Sequence, residues 1–340
     1  MRCDIYTYRY IDAFSNRMNL SSGNLLPIVN TNVVYYLENH IVLKSSKKLW
    51  SRVKFLLREK QETPPVTVGR PEISSGNSKY IFSGSSRVVE GHTLWEIIYV
   101  ATGESGGYVG GETNLCYESN CYLGPDAVIY DNARVEGNAE VIGDASIYGD
   151  ALIRGGRISG GCVYGESRVT GGVITGGMVA GNSIVSGGEV GPKSIITSNA
   201  VIENGSVSGG TICDNALISG GEISGGIVNC NARISGDTIM LNGFVSGDSL
   251  ISGGIISGEA YISGNAEVSG GEISGGRIYE NAVVTGGKIT GGDIYGDVRV
   301  SGGEISGKAR IAGGELQDGI VNGEENGEGN SNKSDSRHSF

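Results

Sequence analysis

The sequence predicts an all-β solenoid, a parallel β-helix whose coils hold 16 to 18 residues each, and three observations carry that prediction. Aliphatic residues recur every five or six positions after Leu123, the rows they form recur every 16 or 17, and glycine is concentrated where the rows run. Of 59 glycines only Gly23, Gly69, Gly76, Gly84, Gly91 and Gly103 precede residue 105, so the chain is two materials joined end to end.

In frame, the chain reads IYDNAR, VEGNAE, VIGDAS and IYGDAL, then IRGGR, ISGGC, VYGESR, VTGGV and ITGGM. One six-residue unit plus two of five makes one turn with three aliphatic stacks. Row one starts at Ile147, Val163 and Val179 and continues to Ile311. Row two runs from Val135, Ile153 and Val169 to Val300, and row three from Val141, Ile158 and Ile174 to Ile305. No helical period fits this spacing, and glycine costs a helix about 1 kcal/mol per residue relative to alanine. Short strands between glycine turns remain.

The six-residue units place a small residue four positions after the aliphatic one, as at Ala133, Ala151, Ala200 and Ala216, which suits a tapering corner. Before each stands Asn132, Asp150, Asn199 or Asn215, side chains expected to support the turn. About eleven coils, with strands stacked at about 4.8 Å, give a rod on the order of 50 Å long. Both ends need cover, because a bare terminal coil is an unpaired strand edge.

From the start of the chain, residues 1–60 form an N-terminal region of mixed α/β type whose second half predicts a basic amphipathic helix. Leu49, Val53, Leu56 and Leu57 share one face, with Lys47, Lys48, Lys54 and Arg58 around it. Those four cations are the candidate contact to a membrane surface or an acidic partner. Residues 61–78 read as a linker, 79–122 as a β-rich cap, 123–321 as the β-helix, and 322–340 as a tail too poor in apolar residues to fold.

The units IYDNAR, VEGNAE and VIGDAS resemble the hexapeptide repeat of left-handed β-helix proteins, a family best known for acyltransferases. That resemblance implies a left-handed coil of triangular section. A narrower resemblance, to phage and prophage hexapeptide-repeat proteins, covers the chain from about residue 79 through the repeats. It rests on Gly91, Leu94, Ile97 to Val100, Gly106, Gly107, Tyr108, Val109, Asn114 and Leu115, and implies that residues 79–122 cap the first coil.

Acyltransferases of the family use a surface histidine as general base, and its carbonic anhydrases hold zinc with three. The histidines here are His40, His92 and His338, none within the coils, so no catalytic residue, metal or cofactor is expected. His92 stands in Gly-His-Thr, a turn context, and reads as an ordinary turn residue. Six cysteines follow no zinc-ligand pattern, and Cys116 and Cys121 are expected to stay reduced. The calcium nonapeptide of β-rolls is absent, and the Ser-Gly-Gly and Thr-Gly-Gly units lack a regular Thr-x-Thr array.

Net charge is −11, all of it from residues 123–340, where 13 cationic side chains face 26 anionic ones. An acidic rod disfavours nucleic acid. Tyr130, Tyr148, Tyr164, Tyr279 and Tyr295 all follow a row-one aliphatic residue and form the candidate partner surface. The expected function is a rigid, non-enzymatic scaffold or binding rod with a protein partner, of prophage or bacterial effector type. The alternative is an acyltransferase-like enzyme using acyl-CoA. Residues 1–30 lack a secretory signal pattern, which gives a cytoplasmic expectation; their Ser and Asn content also suits an uncleaved export signal.

Overall fold

The computed structural model describes residues 71–73 and 76–323. Within them the chain is a parallel β-solenoid of about 14 turns, and the helical content is one 3₁₀ turn at Glu112–Asn114. Lys47, Lys48, Lys54 and Arg58, with the amphipathic segment that carries them, lie outside the described residues.

Each turn contributes three very short strands, and each strand pairs in register with its equivalent one turn on. In row one Val163 pairs with Ile147 below and Val179 above; in row two Val169 pairs with Ile153 and Val185; in row three Ile158 pairs with Val141 and Ile174. Row two makes an independent 12-stranded sheet. Every second residue points inward, so Ile147, Ile153 and Ile158 of a single turn are all fully buried. Burying one such side chain contributes roughly 1.5–3 kcal/mol, and the repeat makes the core a continuous column rather than a sphere.

The turn count exceeds the eleven expected because row one begins earlier and row three ends later than the regular spacing suggests. Strands β1 (Tyr80–Val89), β2 (His92–Tyr99) and β3 (Ser105–Val109) form an antiparallel meander, and β3 then pairs in parallel with Val128–Ile129. Val109 is therefore the first member of row one. At the other end Ile320–Gly323 pairs with Glu304–Gly307, which carries the solenoid two residues past the boundary drawn at 321.

The corners depend on left-handed backbone. Gly161 has φ of 79°, and a β-carbon there would lie 2.5 Å from the carbonyl oxygen of Gly177 one turn above. At the corner after row one, Asp131, Ser198, Asp214, Cys230 and Glu280 take the same conformation with φ between 57° and 61°. Non-glycine residues pay a strain there. Three of them offset it with a hydrogen bond to the next turn: the backbone N–H of Gly149 donates to Asp131, that of Cys230 to Asp214, and that of Gly296 to Glu280.

The neighbouring Asn row lies in the same corner turns, as expected, and has a second role. Its side chains bond to each other up the rod: Asn182 donates its amide N–H to Asn199 (3.3 Å), Asn199 to Asn215 (3.1 Å), Asn215 to Asn231 (3.0 Å) and Asn231 to Asp248 (2.7 Å). All donors point toward the C-terminal end. An ionised Asp has nothing to donate, so it closes a run, as Asp150 does after Asn132 and Asp297 does after Asn265 and Asn281.

Candidate binding surfaces

The five tyrosines divide into two groups. Tyr130, Tyr148 and Tyr164 stack nearly flat, with ring centroids 5.0 and 4.8 Å apart and planes within 8°. Tyr130 and Tyr148 are buried at 3% and 7% exposure, so they are no open partner surface. The reason is the β1–β2 hairpin, which folds over them: Leu94 and Val89 from the hairpin, with Tyr108 of β3, pack against Val128, Tyr130, Tyr148 and Cys162. Tyr130 donates its hydroxyl to Glu90 at 3.2 Å. Burial raises the pKa of both phenols, and the Glu90 carboxylate raises that of Tyr130 further.

Tyr279 and Tyr295 remain half-buried and stack at 5.2 Å. Arg310 lies over the Tyr295 ring at 5.9 Å, and Arg277 grips Asp293 through two nitrogens at 2.8 and 3.1 Å. Lys308, Arg277, Asp293 and Arg310 line an open groove of about 590 Å³. A second aromatic pair, Phe244 and Tyr261 at 4.9 Å, escaped the sequence reading because it precedes the row-one aliphatic residue. The same row arithmetic shifted by two positions finds it.

His92 gains a partner that its sequence neighbourhood does not show. Its Nδ1 lies 3.4 Å from Asp131 and its ring 5.0 Å from that of Tyr130, with 48% of the side chain exposed. An acid can fix an imidazole tautomer in this way. Here the contact joins the hairpin turn to the first corner of the solenoid. Cys116 and Cys121 are free thiols, and Cys121 donates to the Cys116 carbonyl. The Lys79 ammonium donates to the carbonyls of Cys116, Ser119 and Cys121 and so holds that loop against the cap. Among the described residues no group of three or more His, Cys, Asp or Glu is placed to hold a metal ion. No helix among them is long and apolar enough to cross a membrane.

Glu96 ties the meander together, accepting hydrogen bonds at 2.6 Å from Ser105 and from Ser83. Those two hydroxyls lower its pKa. A carboxylate with a depressed folded pKa stabilises the fold above its unfolded pKa and loses that contribution as the pH falls through the folded one. Hydrogen-exchange protection across residues 80–109 is therefore expected to weaken on acidification below the usual carboxylate range. Glu96→Gln should start weaker and show a flatter acid limb; an identical limb in both proteins would contradict the role.

The row-two face completes the inventory. Its outward column holds Leu152, Arg168, Ile184, Val201, Leu217, Arg233, Leu250 and Glu267 on successive turns, beside the amide ladder. Val201, Glu203, Leu217, Arg233 and the ladder residues Asn215, Asn231 and Asp248 line a groove of about 570 Å³. No family model matches the chain, and no curated protein matches it.

Proposed function

We propose that the protein is a left-handed, triangular β-helix of hexapeptide-repeat type that acts as a rigid, non-enzymatic rod and presents a binding surface to a protein partner. One observation carries the reading: the ladders run in register through about 14 turns, so exterior side chains stand in straight columns at strand spacing. Such columns are a ruler-like surface. The sequence likeness of IYDNAR and VEGNAE to the hexapeptide repeat supports the handedness and the section. The likeness of Gly91, Leu94 and the Gly106–Gly107–Tyr108–Val109 stretch to phage and prophage proteins supports a prophage origin.

Titrating the full chain with acetyl-CoA by calorimetry separates this reading from an acyltransferase. No saturable heat is expected; saturable binding in the micromolar range would overturn the rod, and its loss in His92→Ala would place the ligand at the His92–Asp131 pair.

A further inference from the structure

We infer that the row-two face is a homodimer interface, in which two rods lie antiparallel about a two-fold axis passing through the turn of Leu217. The inference rests on the rod reading and names its partner as a second copy of this chain. An isologous interface requires that each residue meet its mirror position in the column, so the column must read sensibly against its own reverse.

It does so about Leu217. With the axis in the contact plane and along the strand direction, Leu217 meets itself, Ile184 meets Leu250 two turns away on either side, and Leu152 meets Val283 four turns away. Three turns out, Arg168 meets Glu267, opposite charges that form no ion pair within the described residues. One turn out, Arg233 falls opposite Val201, beside the exposed carboxylate of Glu203. The like-charge pair in this column, Arg134 with Arg299, falls five turns out, where Glu136 already lies 3.6 Å from Arg134.

The amide column is independent of the first and obeys the same axis. Asn215 meets itself, Asn182 meets Asp248, Glu166 meets Asn265, Asp150 meets Asn281, and Asn132 meets Asp297. Every carboxylate faces an amide that can donate to it, and none faces another carboxylate. Moving the axis one turn, to Val201, sets Arg168 against Arg233 and Asp150 against Asp248.

Leu250 is 41% exposed, and Ile184, Val201, Leu217 and Val283 are half-buried, so the apolar part of the column has area left to cover. Eleven turns at about 4.8 Å, on a face about 15 Å wide, offer about 800 Å² per copy, the size of a standard stable interface.

The test is sedimentation of the full chain over a concentration series. Wild type is expected to sediment at twice the chain mass. Leu217→Asp, which sets two carboxylates face to face on the axis, should be monomeric, while Ile255→Asp on the outward side of row three should remain dimeric. Arg168→Glu should raise the dissociation constant by about tenfold or more, and adding Glu267→Arg in the same chain should restore it, because the axis rebuilds the pair with its signs exchanged. Circular dichroism confirms that each variant is folded. A monomeric wild type, a dimer that survives Leu217→Asp, or a double variant no tighter than Arg168→Glu would each overturn the interface. A monomeric wild type leaves the rod reading standing, since that reading fails on acetyl-CoA binding instead.

Discussion

Leu94→Ala is expected to cost about 2–5 kcal/mol of local stability and to lift the β1–β2 hairpin from the tyrosine stack. Leu94 is fully buried and is the hairpin's largest contribution to the cluster that covers Tyr130 and Tyr148. Hydrogen exchange should accelerate across His92–Tyr99 and Val128–Ile129, and the near-ultraviolet dichroism of the stacked rings should fall. The loss should stay local, because each turn contacts only its neighbours. Strands from Val201–Ile202 onward should exchange at the wild-type rate, and uniform acceleration along the rod would contradict the assignment.

The second large effect is expected at a corner. Gly161→Ala must place a β-carbon in left-handed backbone, which costs about 1–3 kcal/mol, and must also displace the turn above, where the Gly177 oxygen lies 2.5 Å from the new atom. Overpacking of that kind adds about 1–3 kcal/mol more. Gly314 supplies the comparison. It is also the second glycine of a Gly-Gly pair, with φ of 90°, but among the described residues nothing lies within 4 Å of its β-carbon position. Gly314→Ala should therefore show the backbone strain alone. The difference between the two variants in thermal unfolding measures the steric part of coil-on-coil stacking; equal losses would mean that strain is the whole effect.

The frame of the solenoid was legible because it is a backbone property that repeats. Ile147, Val163 and Val179 announce their stack by spacing, and nothing distant is needed to place them inward. What was illegible depends on segments far apart in the chain. Tyr130 looks like an exterior residue until the hairpin folds over it, and Asp131 becomes the neighbour of His92 only through that same fold. The Asn row was read for its turns alone: Asp131, Asp214 and Glu280 take the left-handed half of each turn, and Asn199 and Asn215, in the other half, also bond along the rod. Local propensity identifies which residues tolerate a turn. It does not say which of two adjacent turn residues takes the left-handed conformation and which one faces its copy 16 residues on.

The directional amide ladder also bears on how such a chain could change length. Inside the run from Asn182 to Asp248, duplicating one whole turn at Asn215 inserts a donor and an acceptor together, so every bond in the run is kept. Duplicating the turn of Asp248 itself gains no such bond, because a carboxylate has no proton to pass on. The ladder is thus modular within each amide run, where a coil can be gained or lost with every remaining amide still bonded, and each aspartate marks the end of a module.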